Sequence, residues 1–138
     1  MKVFFDSNVV LDVLLNRQEF IADSMASLKL SELHVVKGFI SFVSITDIFY
    51  LLKKNLKDFQ KAIEKMPILF EIVNIGKADG KIAFEVLNSG WKDFEDAVQY
   101  SVAKKLHVKY IITRNKKDFL NSDITVLSPT EFIELMKK

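Results

Sequence analysis

The chain has 138 residues, of which 49% are hydrophobic and 28% are charged, and its formal net charge is +2. This composition excludes a disordered chain and predicts one globular domain over residues 1–138. The lack of cysteine excludes disulfides and thiolate metal sites, and the small net charge does not indicate nucleic-acid binding by itself. Because we find neither a membrane-length apolar run nor signal-peptide features, we expect a cytoplasmic protein with no membrane association.

The first fifteen residues combine a strand pattern, a carboxylate and a helix pattern. Val3-Phe4-Phe5 is a short apolar run typical of a buried strand. Ser7 and Asn8 are residues that often begin helices, because their side-chain oxygens accept hydrogen bonds from free backbone N–H groups. The apolar residues that follow recur at helical spacing: Val9, Val10, Val13 and Leu14. Asp6 is therefore predicted at the carboxyl end of a strand, where ligands gather in open parallel sheets.

Helical and strand patterns alternate along the rest of the chain. Helical spacing predicts helices over residues 20–34, 44–53, 58–66, 77–87 and 93–106, and Ser128-Pro-Thr-Glu131 begins a last helix. Apolar runs predict strands at residues 37–41, 69–75, 110–113 and 124–127. Pro67 is expected to close the helix before it, and Ser44 or Thr46 is expected to cap the helix that carries Asp47 in its first turn. The alternation predicts a three-layer α/β/α sandwich with a mainly parallel, five-stranded sheet.

Acidic and amide side chains lie at the junctions between these predicted elements. They are Asp6, Asp47, Asp93, Glu95, Asp96, Asn115 and Asp118. Each has a local explanation, because carboxylates favour helix N-termini, Asp93 and Asp96 have the spacing of a capping pair, and Asn and Asp are common in turns. Nevertheless, all lie on one rim of the sheet if the strand assignment holds. Carboxylates without histidine or cysteine form an oxygen site that suits magnesium or manganese and phosphoryl chemistry.

Four short segments contain these residues. They are Phe5-Asp-Ser-Asn-Val-Val-Leu-Asp12, Ser44-Ile-Thr-Asp-Ile-Phe-Tyr50, Asp93-Phe-Glu-Asp-Ala-Val-Gln99 and Ile112-Thr-Arg-Asn-Lys-Lys-Asp-Phe119. In this order they resemble the PIN-domain ribonucleases, specifically the small single-domain kind found among toxins of bacterial and archaeal toxin–antitoxin pairs. Each segment is weak by itself, whereas the four together, from one end of the chain to the other, are fairly specific.

The resemblance implies a metal-dependent endoribonuclease that cleaves single-stranded RNA with Mg²⁺ or Mn²⁺. The implied catalytic residues are Asp6, Asp47 and Asp96, and the implied metal ligands are Asp6, Asp93, Asp96, Asn115 and Asp118. Asp47 stands where the family commonly has glutamate, and Asn115 stands where many relatives have aspartate. The alternative is a catalytically degenerate PIN scaffold that binds RNA or a protein partner without cleavage. The family also implies a homodimer, with an apolar contact from the early helices, and a small antitoxin as partner.

Basic residues form two segments, the second of them beside the predicted site. The first contains Lys53, Lys54, Lys57, Lys61 and Lys65, and the second contains Arg114, Lys116 and Lys117. They form either solvated faces or a surface that binds RNA phosphates without reading sequence. Arg114, Lys116 and Asn8 are the candidate substrate-binding residues, with Arg114 foremost.

Other polar and aromatic residues near the site have less distinctive patterns. Trp91 and Tyr100 can stack on a base, although Trp91 can equally fill the edge of the core. Asp12 lies two turns into the first helix, away from Asp6, and is expected to be solvated. Aspartyl-phosphate phosphatases need a second aspartate where this chain has Asn8. Phospho-receiver domains need an aspartate after the third strand, where Ile75-Gly-Lys77 stands instead, so both classes are disfavoured.

Overall fold

Five parallel strands form the centre of the protein, and the computed structural model describes all 138 residues. The strands are β1 (Lys2–Phe5), β2 (Lys37–Ser41), β3 (Asn74–Gly76), β4 (Tyr110–Ile112) and β5 (Thr125–Leu127). Their order in the sheet is β3-β2-β1-β4-β5, and every neighbouring pair is parallel. The predicted parallel, five-stranded sheet is therefore confirmed, with β1 and the carboxylate that follows it at the centre.

Seven α-helices cover the two faces of the sheet. They are α1 (Ser7–Leu14), α2 (Ile21–Glu32), α3 (Phe42–Leu56), α4 (Phe59–Ile72), α5 (Gly80–Asn88), α6 (Phe94–Leu106) and α7 (Pro129–Met136). Side chains of β1 alternate between two separate apolar clusters, because successive residues of a strand point to opposite faces. Val3 and Phe5 pack with α1–α4 and α7, whereas Phe4 packs with α5 and α6. This gives the predicted three-layer sandwich. None of its helices combines the length and apolar character that a membrane crossing requires.

The region around Pro67 differs from the sequence prediction. We expected a helix that ends at Pro67 and a strand over residues 69–75. Instead α4 continues through Pro67 to Ile72, and β3 contains only Asn74–Gly76. The buried positions Ala62, Leu69 and Val73 have helical rather than alternating spacing, so packing on the core outweighs the hydrogen bond that the proline removes.

Two helices begin earlier than the sequence suggested, because the residue at the strand end caps each of them. The carboxylate of Asp6, rather than Ser7 or Asn8, accepts from the first free backbone N–H of α1. Ser41 caps α3 by accepting from Val43 N at 3.1 Å, so Ser44 and Thr46 do not cap it and Asp47 lies beyond the first turn. The expected start of α7 is confirmed, since Ser128 and Glu131 form a reciprocal capping box there.

Candidate active site

Asp6 occupies the centre of the sheet edge and is held there by its neighbours. Its Oδ1 accepts from the Ser7 backbone N–H at 2.8 Å, and its Oδ2 accepts from the Thr113 hydroxyl at 2.8 Å and from Asn8 Nδ2 at 3.3 Å. Thr113 follows β4, which pairs directly with β1, so the register of the sheet creates this contact. Burial raises the pKa of Asp6, and the hydrogen bonds from Thr113 and Ser7 oppose that rise.

The turn after β4 brings Asn115 and Asp118 beside Asp6. Thr113 Oγ1 accepts from the backbone N–H of Asn115 at 3.0 Å, and Asn115 Nδ2 donates to Asp118 Oδ2 at 2.6 Å. A 3₁₀ turn, Lys116–Phe119, carries Asp118. The charge of Asp118 contributes to the raised pKa values of both Asp6 and Asp96. Asp118 is therefore part of the same electrostatic group as Asp6, and Asn115 is joined to that group by its hydrogen bond to Asp118.

The start of α6 supplies the remaining predicted carboxylates. Asp93 is the N-cap, and its Oδ1 accepts from the Asp96 backbone N–H at 2.9 Å. Asp96 is half-buried one turn later, and its pKa rises to about 6 because of burial first, and then because of the negative charges of Asp118, Asp93 and Asp6. Asp93 therefore both caps α6 and contributes its charge to the acidic group. Four aspartates from three chain segments share one electrostatic environment at the sheet edge.

Asp47 lies beside Glu95, one of the acidic residues that the sequence placed at the element junctions without a specific role. The interaction with the neighbouring Asp47 of α3, followed by burial and by the charges of Asp47, Asp93 and Asp96, raises the pKa of Glu95 of α6 to about 7. Behind them Gln99 Nε2 donates to Ser44 Oγ at 2.7 Å. Thr113 carried no sequence signal beyond its position after β4, and Glu95 was one of the junction acids without an assigned role. The pairing of β4 with β1 gives Thr113 its partner, and the approach of α3 and α6, marked by the Gln99–Ser44 bond, gives Glu95 its neighbour.

The chemistry of these donors fits a hard divalent cation. The side chains offer only oxygen ligands, and burial first, then the charge of Asp118, raises the pKa of both Asp6 and Asp96. The buried Oε1 of Gln99 has no protein partner, which leaves one more oxygen available between α3 and α6. No three acidic or histidine side chains are already arranged at ligand distance. Asp6 is held instead by hydrogen bonds to protein groups, and Asp93 by the helix cap.

Comparison with known proteins identifies the family. A model of the PIN domain matches residues 2–117 of the chain. The chain belongs to the PIN-domain family. It is 33% identical over 140 residues to Ribonuclease VapC1 of Aquifex aeolicus (strain VF5), a match that covers 96% of this chain and 94% of the relative.

Solved structures share the fold of this PIN domain. VapBC2 from Rickettsia felis, bound to a DNA fragment from its promoter, aligns with a TM-score of 0.74 at 16% identity, over 93% of this chain and 98% of the other. VapBC-1 from nontypeable Haemophilus influenzae aligns with a TM-score of 0.66 at 20% identity, over 94% and 99% of the two chains. These similarities show the same architecture in proteins whose sequences have diverged widely.

Asp12 of the PIN domain is buried rather than solvated, which corrects the prediction. Its side chain is fully inaccessible and accepts from Ser24 Oγ at 2.8 Å. Arg114 donates to both carboxylate oxygens, from Nε at 2.6 Å and from Nη2 at 2.9 Å, and Arg17 adds a longer contact of 3.4 Å. Asp12 lies between α1 and the serine-rich buried side of α2, so an acidic side chain on the core side of α1 is tolerated because it is paired and hydrogen-bonded.

The same contacts correct the expected role of Arg114. Its guanidinium is occupied by Asp12 and stacks over the Phe20 ring, with Cζ 3.8 Å from the ring centroid. It lines a hollow beside Phe20 and the start of α7, which contains none of the acidic residues of the candidate site. Arg114 therefore fixes the turn after β4 to α1, and its guanidinium is engaged by Asp12 and Phe20 rather than free.

Three other candidate binding residues also have protein partners. Lys116, a candidate substrate ligand, donates to both carboxylate oxygens of Glu131 at 2.9 and 3.1 Å. Trp91 and Tyr100 are buried and stack on each other with centroids 4.6 Å apart. The alternative in which Trp91 fills the core edge is therefore the correct one. Asn8 remains at the site, where it contacts Asp6 and Thr113.

Proposed function

We propose that this PIN domain, over residues 1–138, is a Mg²⁺- or Mn²⁺-dependent endoribonuclease that cleaves single-stranded RNA as the toxin of a toxin–antitoxin pair in the cytoplasm. The observation that carries the proposal is the group formed by Asp6, Asp93, Asp96 and Asp118, in which burial and the charges of the other three aspartates raise the pKa of Asp96 to about 6. Such a group is poorly stable without a cation and well suited to one. The relative named a ribonuclease, at 33% identity, supports the reaction class.

Each side chain has a proposed part in this reaction. Asp6 and Asp96 are the principal metal ligands, and Asp93, Asn115 and Asp118 complete the oxygen donors around them. When bound, the cation supplies charge neutralisation at the phosphate and a more acidic water. Thr113 and Asn8 fix the rotamer of Asp6 through hydrogen bonds at 2.8 and 3.3 Å.

We assign proton transfer to Asp47 of α3 and Glu95 of α6. Asp47 is the neighbour of Glu95, whose pKa is raised to about 7 by Asp47 first and then by burial. A group that titrates near neutral pH exchanges protons efficiently with a reacting water. Asp47 is one methylene shorter than glutamate, and Glu95 extends the carboxylate pair from the facing helix. We therefore assign Asp47 the catalytic role together with Glu95.

Metal-dependent cleavage tests the proposal directly. We expect the purified protein to cleave a labelled single-stranded RNA in millimolar Mn²⁺ or Mg²⁺, and to stop when excess chelator is added. Asp6→Asn removes a proposed ligand at nearly constant shape and should lower the cleavage rate at least 100-fold. Undiminished cleavage in chelator, or by the purified variant, would refute the metal mechanism.

A second candidate function is supported by Asn115. It is neutral where many relatives have aspartate, and its amide donates to Asp118, so the site carries less negative charge than one with an aspartate there. Binding of RNA or of a protein partner by a scaffold that does not cleave is the function that this observation favours. Retained RNA binding with no cleavage in any divalent metal would establish the second candidate over the first.

The proposed assembly is a homodimer that binds a small antitoxin. Solved neighbours include toxin–antitoxin complexes, and the early helices expose large apolar side chains such as Met25, Tyr50 and Phe59. Exposed apolar area of this kind is stabilised by burial in an interface. Light scattering at micromolar concentration should give twice the mass of the 15.9 kDa chain, and a monomeric mass would contradict the homodimer.

A further inference from the structure

The cations near the acidic group fall into two sets. Arg114 and Lys116 are bound to Asp12 and Glu131. Lys92 and Lys117 instead line a cleft of about 310 Å³ together with Asp93, Asp96 and Asp118. Neither Lys92 nor Lys117 takes part in any of the ion pairs within 4.0 Å. Only the second set is available to a ligand that enters the acidic cleft.

The two available lysines belong to different walls of this cleft. Lys92 immediately precedes Asp93, the N-cap of α6, and Lys117 lies in the 3₁₀ turn immediately before Asp118. Both are exposed, so their ammonium groups keep the rotational freedom of a long flexible side chain. The carboxylates of the cleft would repel the phosphodiester backbone of an RNA strand. A lysine on each wall of the cleft offsets that repulsion.

We propose that Lys92 and Lys117 bind backbone phosphates of the substrate, one on each wall of the acidic cleft. This inference rests on the proposed ribonuclease function and names the residues that hold its substrate. Lysine is a compact point charge that binds phosphate without requiring a fixed geometry. Contacts of this kind position a single strand and carry no sequence information. Lys117 therefore takes the role that sequence analysis gave to Arg114 and Lys116.

Adjacent lysines make a matched pair of variants for the test. Lys117→Ala removes a lysine that lines the cleft, whereas Lys116→Ala removes its exposed neighbour that is bound to Glu131. We expect Lys117→Ala and Lys92→Ala each to raise KM for a single-stranded RNA about 5- to 10-fold with little change in kcat. Each should also flatten the plot of log KM against log salt concentration by about 0.7, the loss of one single-strand phosphate contact. Lys116→Ala should change neither quantity.

Two controls accompany these variants, and three outcomes would contradict the proposal. Lys117→Arg should restore KM, and the melting temperature of every variant should stay within about 2 °C of the parent, since exposed lysines contribute little to stability. If the parent cleaves RNA but Lys117→Ala and Lys116→Ala behave alike, the inference is overturned while the ribonuclease function stands. If the parent neither binds nor cleaves RNA, the proposed function fails, and this assignment fails with it. A fall in kcat at unchanged KM would also overturn phosphate binding as the role of Lys117.

Discussion

Replacing Arg114 with alanine is expected to lower the free energy of unfolding by about 3–5 kcal/mol, the usual cost of breaking a buried ion pair from one side. The variant leaves the fully buried Asp12 carboxylate with Ser24 and the single 3.4 Å contact from Arg17 as its only side-chain partners. For a domain of this size the loss corresponds to roughly 10–15 °C in melting temperature. Thermal and urea unfolding at pH 7.5 measure it.

Arg17→Ala provides the control for this experiment. Arg17 also contacts Asp12, but through one 3.4 Å contact from a side chain that is 34% exposed, so its removal should cost under about 1 kcal/mol. The double variant Asp12→Ala/Arg114→Ala should be far more stable than the sum of the two single changes predicts, because neither partner is left alone. Additive single effects would show that the pair is not coupled, and would return Arg114 to the set of free cations.

Asp96→Asn should have opposite effects on activity and on stability. Activity should fall at least 100-fold, since a proposed metal ligand is lost. The metal-free protein should become more stable at pH 7.5 by about 1 kcal/mol, once the raised pKa is discounted for solvent screening. If Asp96 only stabilised the first turn of its helix, Asp96→Asn would instead lower the stability of the metal-free protein.

The sign of the stability change follows from the direction of the pKa shift. The pKa of Asp96 is raised from 3.8 to about 6, so the folded protein holds a proton that the unfolded chain has already released. The stabilisation is complete below the unfolded pKa and is lost as the pH rises through about 6. Melting temperature of the metal-free parent should therefore decline between pH 4 and pH 7, and Asp96→Asn should flatten this decline.

Added Mn²⁺ should stabilise the parent protein more than the Asp96→Asn variant. At about 100 times its dissociation constant, Mn²⁺ adds roughly 2.7 kcal/mol to the stability of a protein that binds it only when folded. The parent should gain several degrees of melting temperature in millimolar Mn²⁺ at pH 7.5, and the variant should gain much less. Equal gains in both proteins, together with a lower melting temperature of the variant in chelator, would show that Asp96 is not part of a metal-binding group.

Local sequence patterns alone determined the framework of this protein. Val3-Phe4-Phe5 predicted a strand buried on both faces, and each face of the sheet does have its own apolar cluster. The capping signals at Asp93 and Ser128 marked the starts of α6 and α7 within a residue or two. These features are short-range, because a strand pattern or a cap is encoded within a few adjacent residues. The grouping of carboxylates at strand ends followed from the parallel alternation alone.

Only the tertiary structure decided which charged residues are free and which are paired. Asp12 and Arg114 are 102 residues apart in the chain, and no local pattern could show that the packing of α1 and α2 encloses them. The proximity of Asp47 and Glu95 depends in the same way on two helices that approach from different parts of the chain. Neighbouring Lys116 and Lys117 look identical in sequence, and the 3₁₀ turn and Glu131 distinguish them. Long-range packing determines which side chains pair across a fold, and local sequence preferences do not predict these pairs.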